Sequence, residues 1–237
     1  MSYHLAKSRE TGIKDLSGEK VFNMMKNYGI PVAAEGWPFI LPLAIVTVLL
    51  FTLGWKGTGV ASLVLTLFVL FFFRDPERIV PREKDIVVSP ADGRVIVIKD
   101  VFEPTYLKQD VKQVSIFLSV FNVHVNRAPC GGSVEVVKYN PGKFHVASVD
   151  KASLENEQTA MVIANGKRKI LVKQIAGLIA RRIVCYAKPG DTIAMGERYG
   201  LIRFGSRVDL FLPKDIELRV KVGDRIKGAR DVIGVPK

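Results

Sequence analysis

A chain of 237 residues holds one sizeable domain and an appendage, and leaves no room for two large domains. Thirty-five Lys and Arg against 23 Asp and Glu give a net charge of +12, which favours anionic partners such as phospholipid headgroups or nucleic acid without choosing between them. The two cysteines, Cys130 and Cys185, each sit beside apolar residues, which excludes a disulfide framework or a cysteine-rich metal site and fits a reducing cytoplasm.

Residues 1–36 form a mixed, charged segment without the basic start, apolar core and small-residue cleavage site of a secretory signal. From Trp37 to Trp55 and from Val60 to Phe73 the chain is almost entirely apolar, so residues 37–73 read as a helical hairpin, with Lys56, Gly57, Thr58 and Gly59 as its tight turn. Spanning a bilayer takes about 20 apolar residues per helix, so a shallow hairpin and two full crossings both remain open. Lys20 and Lys26 before the first run, and Arg74, Arg78, Arg82 and Lys84 after the second, place both flanks on the cytoplasmic side by the positive-inside bias.

From residue 74 to 237 the pattern changes to short alternating segments bounded by Gly, Pro, Asp and Asn, among them Arg94 to Lys99, Val114 to Val125, Ser133 to Tyr139 and Ile170 to Ile175. The expected fold is therefore mainly β, or α+β, with the hydrophobic hairpin at its N-terminal end. Val220 to Gly228 followed by Val232 to Val235 resembles the strand-turn-strand corner of a barrel-sandwich domain. The stretch from Gln158 to Gly190 carries seven basic residues and no acid, which suits either a solvated face or a docking face for anionic lipid.

Gly205-Ser206 lies between two alternating segments, hence at a turn or kink. A Ser hydroxyl can attack the carbonyl of the residue before it, and a preceding Gly removes the Cβ that would crowd the approach. β-Elimination from the resulting ester, then hydrolysis, would leave an N-terminal ketone. Such chemistry needs a general base, and of the three His residues His4 lies in the polar N-terminal segment, leaving His124 and His145. Alternation along Val114, Ile116, Leu118 and Val120 carries Asn122 and His124 inward at the end where that face turns polar. A His satisfied by a backbone partner would give the same pattern. Asp92, in Ser89-Pro-Ala-Asp-Gly, could orient such a His, although Asp-Gly is also a routine turn.

Together, Phe72-Phe-Arg-Asp-Pro, Ser89-Pro-Ala-Asp-Gly, Phe121-Asn-Val-His-Val-Asn-Arg, Asp150-Lys-Ala-Ser-Leu-Glu-Asn-Glu, Gln174-Ile-Ala-Gly-Leu-Ile-Ala-Arg-Arg and Gly196 to Ser206 resemble the short-form bacterial phosphatidylserine decarboxylases. The resemblance covers nearly the whole chain. It implies self-cleavage at Gly205-Ser206 into a β chain, 1–205, and an α chain, 206–237, that stay associated, by a triad of Asp92, His124 and Ser206. It further implies a pyruvoyl group derived from Ser206, with no metal and no pyridoxal phosphate, which would hold the amine of phosphatidylserine as a Schiff base while carbon dioxide leaves. His145 and Phe204 are expected to contact substrate. A homo-oligomer on the cytoplasmic face of the cell membrane, with anionic lipid and not nucleic acid as partner, completes the expectation. One departure stands out: relatives read Glu-Asn-Glu-Arg where this chain has Glu155-Asn-Glu-Gln158, and Gln158 supplies no charge.

Two other readings compete. A membrane-anchored zinc peptidase acting on peptidoglycan would have similar strands, but the chain has three scattered His and no His-x-His. A lipoyl carrier modified at Lys151 in Asp150-Lys151-Ala152 would leave the Gly205-Ser206 region without a role.

Overall fold

In the computed structural model, which describes residues 31–83, 85–143, 156–177, 182–203 and 205–237, the chain falls into two units. One ends at Asp75 and the other runs from Pro76 to Lys237.

The first unit is the hairpin. A 3₁₀ turn, Ala34–Gly36, leads into helix α1 (Trp37–Thr52), and α2 (Lys56–Phe72) returns. The reversal comes earlier in the chain than the composition suggests. Gly54 takes φ +76, the left-handed conformation that ends a helix at little cost in Gly, and Trp55 N donates back to Leu50 O at 3.0 Å. Lys56 to Gly59, expected as the turn, instead form the first turn of α2, and a Cβ on Gly59 would stand 3.0 Å from the Phe51 ring. Gly59 therefore serves close helix packing rather than reversal.

Between the helices Thr47 Oγ1 meets Ser62 Oγ at 2.7 Å and Thr66 Oγ1 at 3.1 Å. Elsewhere the helices show solvent apolar side chains such as Ile45, Val48, Val64 and Leu67. The 19-residue span Ala34–Thr52 is long and apolar enough to cross a membrane, and Lys56–Phe72 is shorter. The two ends of the hairpin are clipped together: Ala33 N donates to Phe73 O and Asp75 N to Pro31 O, each at 2.7 Å, flanking an antiparallel bridge between Val32 and Arg74.

The second unit is mainly β, as the alternation indicated. Its strands are β1 (Val87–Val88), β2 (Gly93–Glu103), β3 (Gln109–Leu118), β4 (Val125–Arg127), β5 (Gly132–Asn140), β6 (Gln158–Asn165) and β7 (Arg168–Ala176). There follow β8 (Ile183–Cys185), β9 (Thr192–Ile193), β10 (Arg198–Ile202), β11 (Ser206–Pro213), β12 (Ile216–Leu218), β13 (Arg225–Ile226) and β14 (Val232–Pro236). One eight-stranded sheet has the order β13-β2-β3-β11-β7-β6-β5-β9, and two three-stranded sheets have the orders β4-β10-β8 and β1-β14-β12.

β11 lies at the middle of the large sheet, antiparallel to β3 on one side and β7 on the other. Val208, Leu210 and Leu212 on one face join the main core with Val114, Ile116 and Leu118 of β3, while Phe211 on the other packs with Val111, Val162 and Leu171. Burial on both faces explains why β11 reads as a nearly continuous apolar run from Val208 on.

Two segments differ from the sequence reading. Val114 to Val125 is not one strand: the ladder stops at Leu118, the Asn122 side-chain oxygen takes the Ser119 amide at 2.9 Å, and the chain re-enters as β4 in a different sheet. An Asn able to satisfy the backbone locally offers a turn in place of a ladder. At the other end, β13 pairs with β2 and β14 with β1 and β12, so the expected strand-turn-strand corner feeds two different sheets.

Candidate active site

Ser206 is the first residue of β11, held in register against Leu118 and Ala176. Gly205 before it takes φ +56, a left-handed turn between the end of β10 at Ile202 and the start of β11. Ser206 is 0% exposed, and its Oγ has no hydrogen-bond partner among the described residues. An unsatisfied buried hydroxyl costs about 1–3 kcal/mol, and such exceptions in a folded protein ask for a functional reason.

His124 precedes β4. Its carbonyl accepts the Ile202 amide at 3.4 Å, just ahead of the β4–β10 ladder. Thus 118 stands against 206 and 124 against 202, at the two ends of the turn from β3 into β4. The imidazole is 1% exposed, with Nδ1 3.0 Å from Asn122 O. A carbonyl only accepts, so Nδ1 carries the proton and Nε2 keeps the basic lone pair.

Asp92 is buried in a tight turn where Ser89 Oγ donates to Ala91 O at 2.7 Å. Its Oδ1 accepts the Gly228 amide and its Oδ2 the Arg78 guanidinium, each at 2.8 Å. Asp92 and Asn122 line one pocket of about 610 Å³. The close side-chain partner of Asp92 is therefore Arg78 rather than His124.

Other residues that the sequence did not single out support the site. Asn156 is buried and donates Nδ2 to Ala176 O at 2.7 Å, on the residue registered against Ser206. Gln174 Nε2 donates to Asn126 Oδ1 at 2.9 Å, tying β7 to β4 two residues after His124. Both lie in segments that carry the family resemblance, but their roles come from partners far off in sequence. Gln158, the departure from the usual pattern, sits on β6 with its Oε1 buried and without a hydrogen-bond partner among the described residues. His145, Phe204 and Lys151 lie outside the described residues.

The basic stretch from Gln158 to Gly190 does not form a single face. Arg168 pairs with Asp215 at 2.7 Å and Lys169 with Glu135 at 2.6 Å, whereas Lys173 turns inward, 3.6 Å from buried Glu103 and over the Phe211 ring. Burial pushes the Cys130 thiol up to about 12 and the Cys185 thiol up to about 11, so both stay protonated and poorly nucleophilic near neutral pH. Among the described residues no three His, Cys, Asp or Glu side chains converge as metal ligands would.

The phosphatidylserine decarboxylase family model matches residues 65–234. The chain is 49% identical over 212 residues to the phosphatidylserine decarboxylase proenzyme of Geotalea uraniireducens, covering 89% of this chain and 99% of that protein. It is 48% identical over 214 residues to the proenzyme of Syntrophotalea carbinolica, covering 90% and 100%. Against the proenzyme of Ralstonia nicotianae it is 46% identical over 212 residues, covering 89% and 98%. A match of this extent, over a mainly β fold with an apolar N-terminal hairpin, places the chain in the phosphatidylserine decarboxylase family.

Proposed function

We propose that this chain breaks its own backbone between Gly205 and Ser206, and then decarboxylates phosphatidylserine to phosphatidylethanolamine at a pyruvoyl group made from Ser206. The observation that carries the reading is the Ser206 hydroxyl, buried and without a hydrogen-bond partner among the described residues, directly after a left-handed Gly.

In the proposed maturation His124 Nε2 takes the hydroxyl proton while Oγ attacks the Gly205 carbonyl, and the peptide bond gives way to an ester. Elimination across Cα–Cβ of residue 206 releases the Gly205 carboxylate, and hydrolysis of the dehydroalanine expels ammonia and leaves the ketone. Asp92 has the role of favouring the imidazolium that forms on His124. A pyruvoyl group keeps the three carbons of Ser206, so it fits the space at the head of β11 without rearranging the strand.

The ketone supplies an electron acceptor for the pair left as carbon dioxide departs. In this reading His124 returns a proton to the product carbon. Ladders to β3 and β7 along the length of β11 support continued association of the β and α chains after cleavage. The apolar hairpin, with basic residues at both ends, supports attachment to the cytoplasmic face of the membrane.

Intact-mass analysis tests the reading. Purified protein should give a small fragment of residues 206–237 with a blocked, keto N-terminus, and Ser206→Ala should stay one inactive chain. An active enzyme that is one continuous polypeptide, or a small fragment starting with a free amine, refutes it.

A further inference from the structure

On the face turned away from Ser206, β11 has two unlike halves. Phe211 packs there with Val111, Val162 and Leu171, whereas the half next to Ser206 holds a buried ion pair. Arg207 Nε donates to Asp209 Oδ1 at 2.6 Å, and the two side chains are closed to solvent, at 1% and 0% exposure. The pair reaches across to β3. Arg207 Nη2 donates to Ser115 Oγ at 2.7 Å, and Gln113 Nε2 donates to Asp209 Oδ2 and to Ser115 Oγ, each at 3.1 Å. A buried ion pair is weak grounds for stability, because desolvation offsets the attraction and an apolar pair of similar volume often serves a core as well. Its better use is to hold one geometry, and the geometry at this end of β11 is that of residue 206.

Self-cleavage would make that geometry hard to keep. The break removes the covalent link of residue 206 to Gly205, and the expulsion of ammonia removes its backbone nitrogen, so the new chain end has no N–H to give to a neighbouring strand. Chain ends fray at little cost unless something ties them down. The first residue of the α chain that keeps its amide is Arg207, and its side chain is bonded to Ser115, which belongs to the β chain. Asp209 and Gln113 make a second link between the same two chains. All four side chains are buried. The ketone accepts electrons best in plane with the carbonyl of residue 206, and the peptide unit that carries this carbonyl ends on the Arg207 nitrogen. Holding Arg207 therefore holds the plane on which turnover depends.

We propose that Arg207, with Asp209, Ser115 and Gln113, is the tether that keeps the new end of the α chain in register once the backbone is cut. Arg207 is a positioning residue, needed after cleavage and dispensable before it, when the continuous chain through Gly205 holds Ser206 in place. This rests on the self-cleavage proposed above and assigns the residues that preserve the site afterwards.

Arg207→Met/Asp209→Leu tests it, because it removes the tether without leaving a lone charge, and urea unfolding in the uncleaved Ser206→Ala background checks that the fold is intact. With Ser206 restored, this variant should cleave at the parental rate. On a monodisperse short-chain phosphatidylserine its kcat should then fall about ten-fold or more, the scale of a lost charge-assisted hydrogen bond, with KM nearly unchanged. Ser115→Ala, which removes only the acceptor on the β chain, should lower kcat in the same way, and Arg207→Lys should retain part of the parental rate. Hydrogen exchange gives a readout apart from activity. The peptide starting at 207 should be equally protected in the uncleaved and mature parent, and should lose protection in the variants only after cleavage. Parental kcat and protection in the mature double variant overturn the proposal, and Ser115→Ala decides in the same terms should the double variant not fold. Cleavage slowed as much as turnover, or protection lost equally in the uncleaved chain, overturns it as well, because the network would then serve the sheet as a whole. A parent that stays one chain refutes self-cleavage and the tether together, whereas a parent that cleaves beside a fully active variant refutes the tether alone.

Discussion

Asp92 links two tasks that a single substitution would confuse. Its carboxylate neutralises the largely buried Arg78 and caps the Gly228 amide, and in the proposed maturation it also favours the His124 imidazolium. Asp92→Asn alone should cost about 2 kcal/mol of stability, because a shielded guanidinium loses its counter-charge. The Arg78→Gln/Asp92→Asn pair removes both charges and should recover most of that stability in denaturant melts. If the carboxylate supports the imidazolium, the pair should still mature at least about ten-fold more slowly than the parent, by fragment appearance on a gel. Maturation at the parental rate in the double variant would reduce Asp92 to a structural role. Ser206 and His124 were legible in sequence because their chemistry is local: a hydroxyl next to a glycine, and a scarce base at the end of an apolar face. Arg78 and Asn122 were not, since one acts through a partner 14 residues on and the other through its main-chain carbonyl.

Among the elements, β11 carries both the candidate nucleophile and the most costly group in the core. Arg207, one residue after Ser206, is fully buried on the opposite face, bonded to Asp209 Oδ1 at 2.6 Å and to Ser115 Oγ at 2.7 Å. Gln113 Nε2 completes the network on Asp209 Oδ2 at 3.1 Å. Removing one partner strands a charge where no water can reach it, whereas replacing both by apolar groups can be neutral or stabilising. In the uncleaved Ser206→Ala background, Arg207→Met should lose about 3–5 kcal/mol, and Arg207→Met/Asp209→Leu should regain most of it, measured by urea unfolding. Losses that simply add would mean that the pair is not coupled. Strand positions were largely readable from period-two alternation, as in β5 and β7. The break of the Val114 to Val125 run was not, because Asn122 ends a ladder through its own side chain and alternation takes no account of such a cap. The turn of the hairpin was misplaced for a related reason: Gly54 and Gly59 look alike in composition, and only the Phe51 ring against Gly59 tells a packing glycine from a reversing one.

At the scale of the whole molecule, burial that encloses β11 on both faces also suppresses ionisation of two thiols and a phenol among the described residues. Burial holds the Cys130 thiol up to about 12 and the Cys185 thiol up to about 11, and pushes the Tyr199 phenol well above its ordinary value of 10.0. In the unfolded chain the same thiols ionise near their ordinary value of 9.0. Below that pH both states are protonated, and the contribution of these groups to stability is fully present. As pH rises the unfolded state releases protons that the folded state keeps, so stability falls from about pH 9 until the folded groups ionise in turn, near 11 for Cys185 and 12 for Cys130. Each thiol accounts for about 1.4 kcal/mol per pH unit inside its window. Urea midpoints of the uncleaved Ser206→Ala chain should therefore hold level from pH 7 to 8.5 and decline steeply from 9 to 11, and Cys185→Ala should make that decline shallower. A midpoint that stays flat through pH 11, or a slope indifferent to Cys185→Ala, would mean that these thiols meet water in the folded protein, and that the core around β11 is more open than the packing implies.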